Sequence, residues 1–350
     1  MTPDFWRGRR VLVTGHTGFK GSWLCLMLAQ AGARVSGIAL EPASSPALFT
    51  VARVAEVLER HVICDIRDRV ALAEAVKAIA PEIVLHLAAQ PLVRASYADP
   101  VATFGTNVLG LVNLLDTLTA SPAAKAVVNV TTDKVYWNDG RRGGYVETDR
   151  LGGHDPYAAS KACAELVTEC WRASFLAARG TALASARAGN VIGGGDWTES
   201  RIIPDALRAM DRGEPLRVRA PLAVRPWQHV LEPLAGYIAL AEALVADPPR
   251  FSQAWNFGPS TADARTVTWI AEYLAGKLPA FSWVSEANDG PHEAELLDVD
   301  STKALANLAW QPRWELAAAL DRTVEWHQAW QAGEDMQARC LAQIAEHAAR

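Results

Sequence analysis

Three glycines follow a short apolar strand near the start of the chain and precede a helix. The run Val11-Leu-Val-Thr-Gly15-His-Thr-Gly18-Phe-Lys-Gly21 places them three residues apart. In a strand–turn–helix unit the first glycine permits a tight turn, the second lets the backbone approach a phosphate, and the third allows the helix to pack closely on the strand. The helix N-terminus then presents free N–H groups to an anion. The pattern therefore predicts a dinucleotide site on a parallel α/β sheet.

The first half of the chain alternates short apolar runs with longer amphipathic ones. Strands are predicted over 10–14, 34–40, 62–65, 82–87, 126–131 and 182–188, and helices over 22–31, 69–79, 101–118 and 157–177. This alternation is typical of βαβ units in a parallel sheet covered on both faces. We therefore expect an α/β fold with a Rossmann-type doubly wound parallel sheet and a smaller, mixed C-terminal substrate domain. The expected boundaries are 1–187 and 188–350, with segments around 226–258 returning to the first domain and a helical tail after Trp314.

The composition excludes several other classes of protein. Half of the 350 residues are hydrophobic and 21% are charged, which is typical of a globular chain. We expect no membrane-spanning run of ~18 apolar residues and no signal peptide, and hence a cytoplasmic protein. The net charge of −5 argues against a nucleic-acid partner. Five scattered cysteines without a CxxC pair argue against both a disulfide framework and a metal site.

The carboxyl ends of the following strands supply further candidate cofactor contacts. Glu41 closes the second strand, where a carboxylate can bind an adenine ribose and disfavours a 2′-phosphate; the alternative is an ordinary exposed side chain. Asp65 could accept the adenine amino group or equally cap the next helix. The alternative role for Asn107 is to hold a water or a main-chain bulge near Lys161 instead of contacting the cofactor. The full candidate set is Gly15, Thr17, Gly18, Phe19, Lys20, Gly21, Glu41, Asp65, Ile66, Leu87, Ala88, Ala89, Gln90, Asn107, Tyr157 and Lys161.

Tyr157 and Lys161 form a Tyr-x-x-x-Lys pair on the helix that Asp155 and Pro156 are predicted to begin. A spacing of four places both side chains on one helix face. A tyrosine works as a general base only if its pKa falls well below ~10, and a neighbouring ammonium favours the phenolate. Lysine is scarce in this chain, with seven lysines against 27 arginines, which argues against a random surface charge at 161. We therefore expect Tyr157 to be a base with a lowered pKa.

The fifth predicted strand ends in Thr131-Thr132-Asp133-Lys134. Thr132 can hydrogen-bond a substrate hydroxyl beside Tyr157. Asp133 and Lys134 add an acid and a base, which simple hydride transfer does not need. The alternative is that these polar residues only form an Asx turn that ends the strand. The five candidate catalytic residues are Thr132, Asp133, Lys134, Tyr157 and Lys161.

Together with several longer strings, these residues resemble the extended short-chain dehydrogenase/reductases over essentially the whole chain. Within that superfamily the chain is similar to the nucleotide-sugar 4,6-dehydratases of the CDP-glucose branch. Lys134 fits that branch, whereas related dTDP-glucose enzymes have glutamate there. The segment between Lys134 and Tyr145 is shorter than in enteric relatives, so we expect a differently shaped rim. The strings that carry the resemblance span residues 13–23, 88–94, 187–197, 225–234 and 255–259.

The resemblance implies a tightly bound NAD that is regenerated each turnover, and CDP-glucose as the substrate. The implied product is CDP-4-dehydro-6-deoxy-D-glucose, for the biosynthesis of dideoxysugars and lipopolysaccharide O-antigen. Tyr157 would take the C4 hydroxyl proton, Lys134 the C5 proton, and Asp133 would protonate the leaving C6 hydroxyl. A homodimer or a dimer of dimers is also implied.

Substrate contacts are expected from the second domain. Arg225 is the best candidate for a diphosphate clamp, because a guanidinium matches phosphate oxygens bidentately. For the other arginines the alternative is a solvated surface charge. The candidates are Asn190, Arg201, Arg217, Arg219, Arg225 and His292. Two other functions stay open, namely a dehydratase or 4-epimerase acting on a dTDP-, GDP- or UDP-linked sugar, and a non-catalytic NAD-binding regulator.

Overall fold

The computed structural model of the chain describes residues 2, 4–141, 143–286 and 298–350. Its strands are β1 (Arg10–Thr14), β2 (Arg34–Ala39), β3 (Arg60–Ile63), β4 (Ile83–His86), β5 (Ala126–Val130), β6 (Ala182–Ala188), β7 (Val191–Ile192), β8 (Leu216–Val218), β9 (Val224–Pro226), β10 (Gln228–His229), β11 (Ala254–Phe257), β12 (Ala264–Thr266) and β13 (Trp283–Ser285).

The helices of the described residues follow in chain order. They are α1 (Phe19–Gln30), α2 (Leu48–Val51), α3 (Arg69–Ile79), α4 (Val93–Ala98), α5 (Pro100–Phe104), α6 (Gly110–Thr119), α7 (Pro156–Trp171), α8 (Ile202–Asp211), α9 (Leu231–Ala246), α10 (Pro248–Phe251), α11 (Val267–Lys277), α12 (Thr302–Asn307), α13 (Leu316–Gln331) and α14 (Met336–Ala349). Short 3₁₀ or π-helical segments cover Val54–Val57, Gly105–Leu109, Asp133–Val135, Arg172–Leu176, Ala177–Arg179 and Thr261–Asp263.

Seven described strands form one parallel sheet in the order β3-β2-β1-β4-β5-β6-β11. The direction of winding reverses between β1 and β4, so the carboxyl ends of these strands open a crevice where ligands bind in such sheets. The predicted Rossmann-type doubly wound fold is confirmed. Three two-stranded sheets, β7–β10, β8–β13 and β9–β12, lie in the C-terminal half.

The predicted element bounds agree best where strands are buried. The bounds of β1, α3 and β6 are those predicted. The third strand begins two residues earlier than predicted, because β3 lies at the edge of the sheet and its largely exposed residues carry no apolar pattern. The helix predicted over 101–118 is divided by the π-helical segment at Gly105–Leu109.

The sheet is packed on both faces. One face carries α1, α9 and the C-terminal helices, with Trp23, Trp255 and Trp326 fully buried in that core. The other face carries α3, α6 and α7. Contrary to our expectation, one described helical run, Pro100–Thr119, is long and apolar enough by length and composition to cross a membrane. Its inner face, including Leu111, is buried against this second core.

Candidate active site

A cleft of about 1510 Å³ opens at the carboxyl ends of β1, β4, β5 and β6. The glycine loop forms one wall, and the segments around β7, α8, β8 and β9 form another. Most predicted site residues line it. They are Gly15, Thr17, Gly18, Phe19, Lys20, Gly21, Glu41, Asp65, Ile66, Leu87, Ala88, Ala89, Thr132, Asp133, Lys134, Tyr157, Lys161, Asn190, Arg201, Arg217, Arg219 and Arg225.

The glycine loop leaves no room for side chains. Gly15 has φ +76°, and a Cβ there would lie 2.8 Å from the backbone nitrogen of Ala88. A Cβ on Gly21 would lie 2.2 Å from the carbonyl oxygen of Gly15. The first turn of α1 therefore sits tightly on the loop, and Gly18 precedes the helix without a side-chain cap. Phe19, Lys20 and Gly21 of this first turn line the cleft, so the N-terminus of α1 can present N–H groups to the pyrophosphate of a dinucleotide.

Two predicted cofactor contacts lie behind the cleft wall. The Asn107 carboxamide oxygen accepts from the Gln90 amide at 2.8 Å, and its nitrogen donates to the hydroxyl of Ser160, next to Lys161. Asn107 lies in the π-helical segment, so it holds the main chain where the helix bulges. Neither Gln90 nor Asn107 is among the residues that line the cleft.

Asp65 reaches the cleft, but its carboxylate is already engaged. It accepts from the backbone nitrogen of Arg67 at 2.8 Å and pairs with the Arg67 guanidinium at 2.6 Å. The cap of α3 is Asp68, which accepts from the backbone nitrogens of Val70 and Ala71, so the alternative of an Asp65 cap is wrong. Glu41 is exposed at the edge of the cleft.

Tyr157 and Lys161 project from the first turns of α7. Asp155 caps this helix by accepting from the Ala158 amide at 2.9 Å, and Pro156 occupies its first position, as predicted. The Lys161 ammonium donates to the carbonyl of Val130 at 3.2 Å. Both side chains are buried.

The pKa of Tyr157 differs from the expected direction. Burial raises the pKa of Tyr157 to about 12, and a hydrogen bond with Thr132 opposes this only in part. Burial also lowers the pKa of Lys161 to about 8, against the attraction of Glu165. In the protein alone, desolvation of the Tyr157 hydroxyl therefore outweighs the Thr132 hydrogen bond and the positive charge of Arg201, and a further positive charge nearby would favour the phenolate.

Thr132, Asp133 and Lys134 leave β5 at the edge of the cleft and enter a 3₁₀ turn. The Thr132 hydroxyl donates to an Asp133 carboxylate oxygen at 2.9 Å. The Asp133 carboxylate packs against Gly189, where a Cβ would lie 2.8 Å from it. A buried carboxyl and a lysine therefore stand at the same strand end as the Thr132 hydroxyl.

Lys20 lies within the electrostatic reach of Asp133, Arg201 and Lys161. Its amine donates to the hydroxyl of the fully buried Tyr237 on α9 at 3.3 Å. Burial and the repulsion of Arg201 and Lys161 lower the pKa of Lys20 to about 7, and the attraction of Asp133 opposes them. Tyr237 was not among the residues predicted from the sequence. The sequence signal that could have pointed to it is Lys20 itself, because a lysine within a glycine loop needs a hydrogen-bond acceptor nearby.

A buried ion pair, also not predicted, fixes α7 to β6. The Arg187 guanidinium donates to Glu165 from Nε at 3.0 Å and from Nη2 at 2.8 Å. The carboxylate also accepts from Thr131 and Ser185. Burial alone would raise the pKa of Glu165, but these partners hold it below its usual range. Glu165 is one helical turn from Lys161, so the Arg187–Glu165 ion pair fixes the position of the α7 face that carries Lys161.

The predicted substrate arginines differ in their surroundings. Arg201 pairs with Asp196 at 3.0 Å, and the exposed Arg217 pairs with Glu286 at 3.2 Å. Arg225 is buried in β9 and donates to the Val224 carbonyl. Arg219 is half-buried. His292 lies outside the described residues.

Three comparisons place these features among known proteins. A model of the NAD dependent epimerase/dehydratase family matches residues 11–258. The CDP-glucose 4,6-dehydratase of Salmonella typhimurium is 48% identical over 342 residues, which cover 96% of this chain and 95% of that protein.

Solved structures share the fold. A UDP-glucose 4-epimerase from Thermotoga maritima with UDP-glucose superposes with a TM-score of 0.79 at 22% identity, over 92% of this chain and 99% of that one. A UDP-glucose 4-epimerase from Stenotrophomonas maltophila, with bound NAD and formylated UDP-arabinopyranose, gives 0.80 at 22% identity, over 93% and 99%.

Proposed function

The chain belongs to the NAD dependent epimerase/dehydratase family, and we propose that it converts CDP-D-glucose to CDP-4-dehydro-6-deoxy-D-glucose with loss of water. The cofactor is NAD, and the glycine loop, Glu41 and the Tyr157–Lys161 pair are the groups that would hold it. When bound, NAD would supply a hydride acceptor for sugar C4 and, once reduced, the hydride donor for C6, and would so be regenerated each turnover. We propose that it stays bound throughout the cycle.

The side chains of the cleft supply the proton transfers. Tyr157 takes the proton of the C4 hydroxyl, with Thr132 holding the same hydroxyl. The resulting ketone acidifies the C5 hydrogen, which Lys134 removes. Asp133 protonates the C6 hydroxyl, which leaves as water. The Lys134 ammonium, whose hydrogens exchange with solvent, then gives a proton to C5 as the hydride reaches C6.

The second wall of the cleft suits a nucleoside diphosphate. Arg225 and Arg201 are the proposed phosphate ligands, because both line the cleft and a guanidinium matches phosphate oxygens bidentately. Asn190 is a proposed sugar contact, and Arg217 and Arg219, which also line the cleft, are further proposed substrate contacts. We propose 1–187 as the NAD-binding domain, with segments around 226–258 contributing, and 188–350 as the nucleotide-sugar domain.

One observation carries the proposal. Asp133 and Lys134 stand beside Thr132 at the end of β5, in the same cleft as Tyr157 and Lys161. An acid and an amine at that position have no task in a simple 4-epimerization, which needs no proton transfer at C5.

Incubation with CDP-, dTDP-, GDP- and UDP-glucose tests this function. We expect CDP-glucose to lose one water and give a 4-keto sugar by mass spectrometry, at a kcat/KM above that of the other three. A 4-epimer of any of them would support the epimerase alternative. The absence of any change in all four would support a non-catalytic NAD-binding protein.

We also propose a cytoplasmic homodimer, or a dimer of such dimers. Large apolar side chains stand exposed on α7 and on the run Pro100–Thr119, namely Val101, Leu109 and Leu166. A second copy of the same helices would cover them. Sedimentation at micromolar concentration should show no monomer, and a Leu109→Asp variant should dissociate.

A further inference from the structure

The turn that follows β5 is held at both ends by buried side chains. On the proposed function this turn, residues 132–135, carries the acid and the base of the elimination step, and we call it the elimination turn. Thr131 precedes it, and the Thr131 hydroxyl donates to Glu165 at 2.5 Å. Tyr136 follows it, and the Tyr136 hydroxyl accepts from the Arg187 guanidinium at 2.8 Å. The two ends of the turn therefore bind opposite halves of one buried ion pair.

The Tyr136 hydroxyl is fixed between two neighbouring strands. It accepts from Arg187 on β6 and donates to the Asn256 carboxamide oxygen on β11 at 2.7 Å. Arg187 and Asn256 are directly paired across these parallel strands. The Asn256 nitrogen donates to the carbonyls of Tyr145 and Asp300 at 2.8 and 3.0 Å, which fixes the orientation of the carboxamide. The hydroxyl is therefore held by groups that are themselves held by the sheet.

Tyr136 is buried and keeps its proton. Only 1% of the residue is exposed, and its ring stacks on that of Tyr145 with the centroids 5.1 Å apart. Burial raises the pKa of Tyr136 to about 12, and Arg187 opposes this only in part. The phenol is therefore a donor to Asn256 and an acceptor from Arg187 at neutral pH. Tyr136 lines the cleft, but its hydroxyl is engaged by these two partners, so it acts on a substrate through the elimination turn.

Arg187 joins the two groups that act on the substrate. Its Nε and Nη2 donate to Glu165 on α7, the helix that carries the proposed base Tyr157. Its Nη1 donates to Tyr136, directly after the elimination turn. The proposed reaction oxidises C4 and moves protons at C5 and C6 of one bound sugar, so the distance between the two groups must be fixed. A misplacement of about 1 Å can cost about 10²-fold in rate.

We propose that Tyr136 is a positioning residue for the elimination step: its hydroxyl, held by Arg187 and Asn256, sets the elimination turn against the bound sugar. Loss of the hydroxyl moves the acid and the base of that turn relative to C5 and C6. Oxidation at C4 is affected far less, because its base Tyr157 lies on α7 and not on the turn.

Other contacts keep the turn attached when the Tyr136 hydroxyl is absent. The Thr131 amide donates to the Ala186 carbonyl at 2.9 Å, which holds the start of the turn on β6. The Gly152 amide donates to the Val135 carbonyl at 2.8 Å at its other end. Removing the hydroxyl therefore shifts the turn without releasing it, so the two steps of the reaction respond differently.

Rapid mixing of the NAD-loaded enzyme with CDP-glucose separates the two steps. Absorbance follows the reduced nicotinamide, and quenched samples give the 4-keto product. For Tyr136→Phe we expect reduced nicotinamide to form at close to the wild-type rate and then to accumulate, because product formation slows about 10²-fold. Tyr273→Phe is the matched control. It removes a hydroxyl that donates to Asp321 at 2.9 Å, and neither residue lines the cleft, so both traces should stay as in the wild type.

A Tyr136→Phe enzyme in which both steps slow equally, or in which neither slows, would overturn the positioning role. If this variant does not fold, Arg187→Lys decides in the same way, because a lysine keeps a cation beside Glu165 but lacks the planar fork that also reaches Tyr136. It should likewise accumulate reduced nicotinamide. A wild-type enzyme that makes no 4-keto product from CDP-glucose would overturn the proposed function, and the positioning role with it.

Discussion

Replacing Arg187 by methionine should destabilise the protein strongly, because it leaves a buried carboxylate without its counter-ion. The side chains of Arg187 and Glu165 are each 4% exposed. The substitution removes two charge-assisted hydrogen bonds to Glu165, from Nε and Nη2. Breaking a buried pair on one side costs about 3–5 kcal/mol. A matched surface change, Arg69→Met, removes the exposed 2.7 Å pair with Asp116 and should cost about 0–1 kcal/mol.

Urea unfolding followed by tryptophan fluorescence measures the change in the free energy of unfolding for both variants. Arg187 also donates to the Tyr136 hydroxyl and the Glu147 carbonyl, so a double-mutant cycle with Glu165→Gln isolates the ion pair. The double variant should be more stable than Arg187→Met alone. A cost for Arg187→Met no larger than that for Arg69→Met would refute the reasoning.

The pH dependence gives a second check with a defined sign. In the wild type the pKa of Glu165 is below its unfolded value, so its contribution is full above about pH 4.5 and is lost as pH falls through the folded pKa. Without Arg187, burial raises the pKa of Glu165, and the folded state then binds a proton more readily than the unfolded state. The difference in the free energy of unfolding between the wild type and Arg187→Met should therefore be smaller at pH 5 than at pH 7. A difference that is larger at pH 5 would contradict the assignment.

Three further predictions concern the chemistry. Lys134→Met should stop after oxidation, so reduced nicotinamide accumulates by absorbance on mixing with CDP-glucose; a trace as flat as that of Tyr157→Phe would exclude Lys134 as the C5 base. Arg225→Ala should raise KM by about 10–100-fold with little change in kcat, because a phosphate clamp holds ground and transition states alike; a fall in kcat alone would place Arg225 in the chemistry. Tyr237→Phe should lower the pKa of Lys20 below about 7, because the ammonium loses its acceptor; an unchanged lysine resonance by NMR would exclude that contact.

The parts of the fold that follow local rules could be predicted from the sequence. Buried strands such as β6 and the capped start of α7 at Pro156 have local patterns of apolar residues or capping residues. The edge strand β3 and the π-helical bulge at Asn107 do not, because they depend on register and on contacts between distant segments.

The same distinction holds in the site. Spacing identified Tyr157 and Lys161, and a strand end identified Asp133. Neither of these sequence patterns could show that Lys20 reaches Tyr237, 217 residues away, or that Arg187 pairs with Glu165. The predicted direction of the Tyr157 pKa shift was also wrong, because desolvation depends on how the cleft is packed.

The most direct test of the central claim is the fate of the C4 hydrogen. CDP-glucose labelled with deuterium at C4 is converted by the enzyme, and the position of the label is read by NMR. We expect the deuterium to appear at C6 of a 4-keto sugar. In D₂O, unlabelled substrate should acquire solvent deuterium at C5, because the Lys134 ammonium that returns a proton there carries exchangeable N–D bonds. A label that returns to C4, or that is lost to solvent, would contradict internal hydride transfer from C4 to C6.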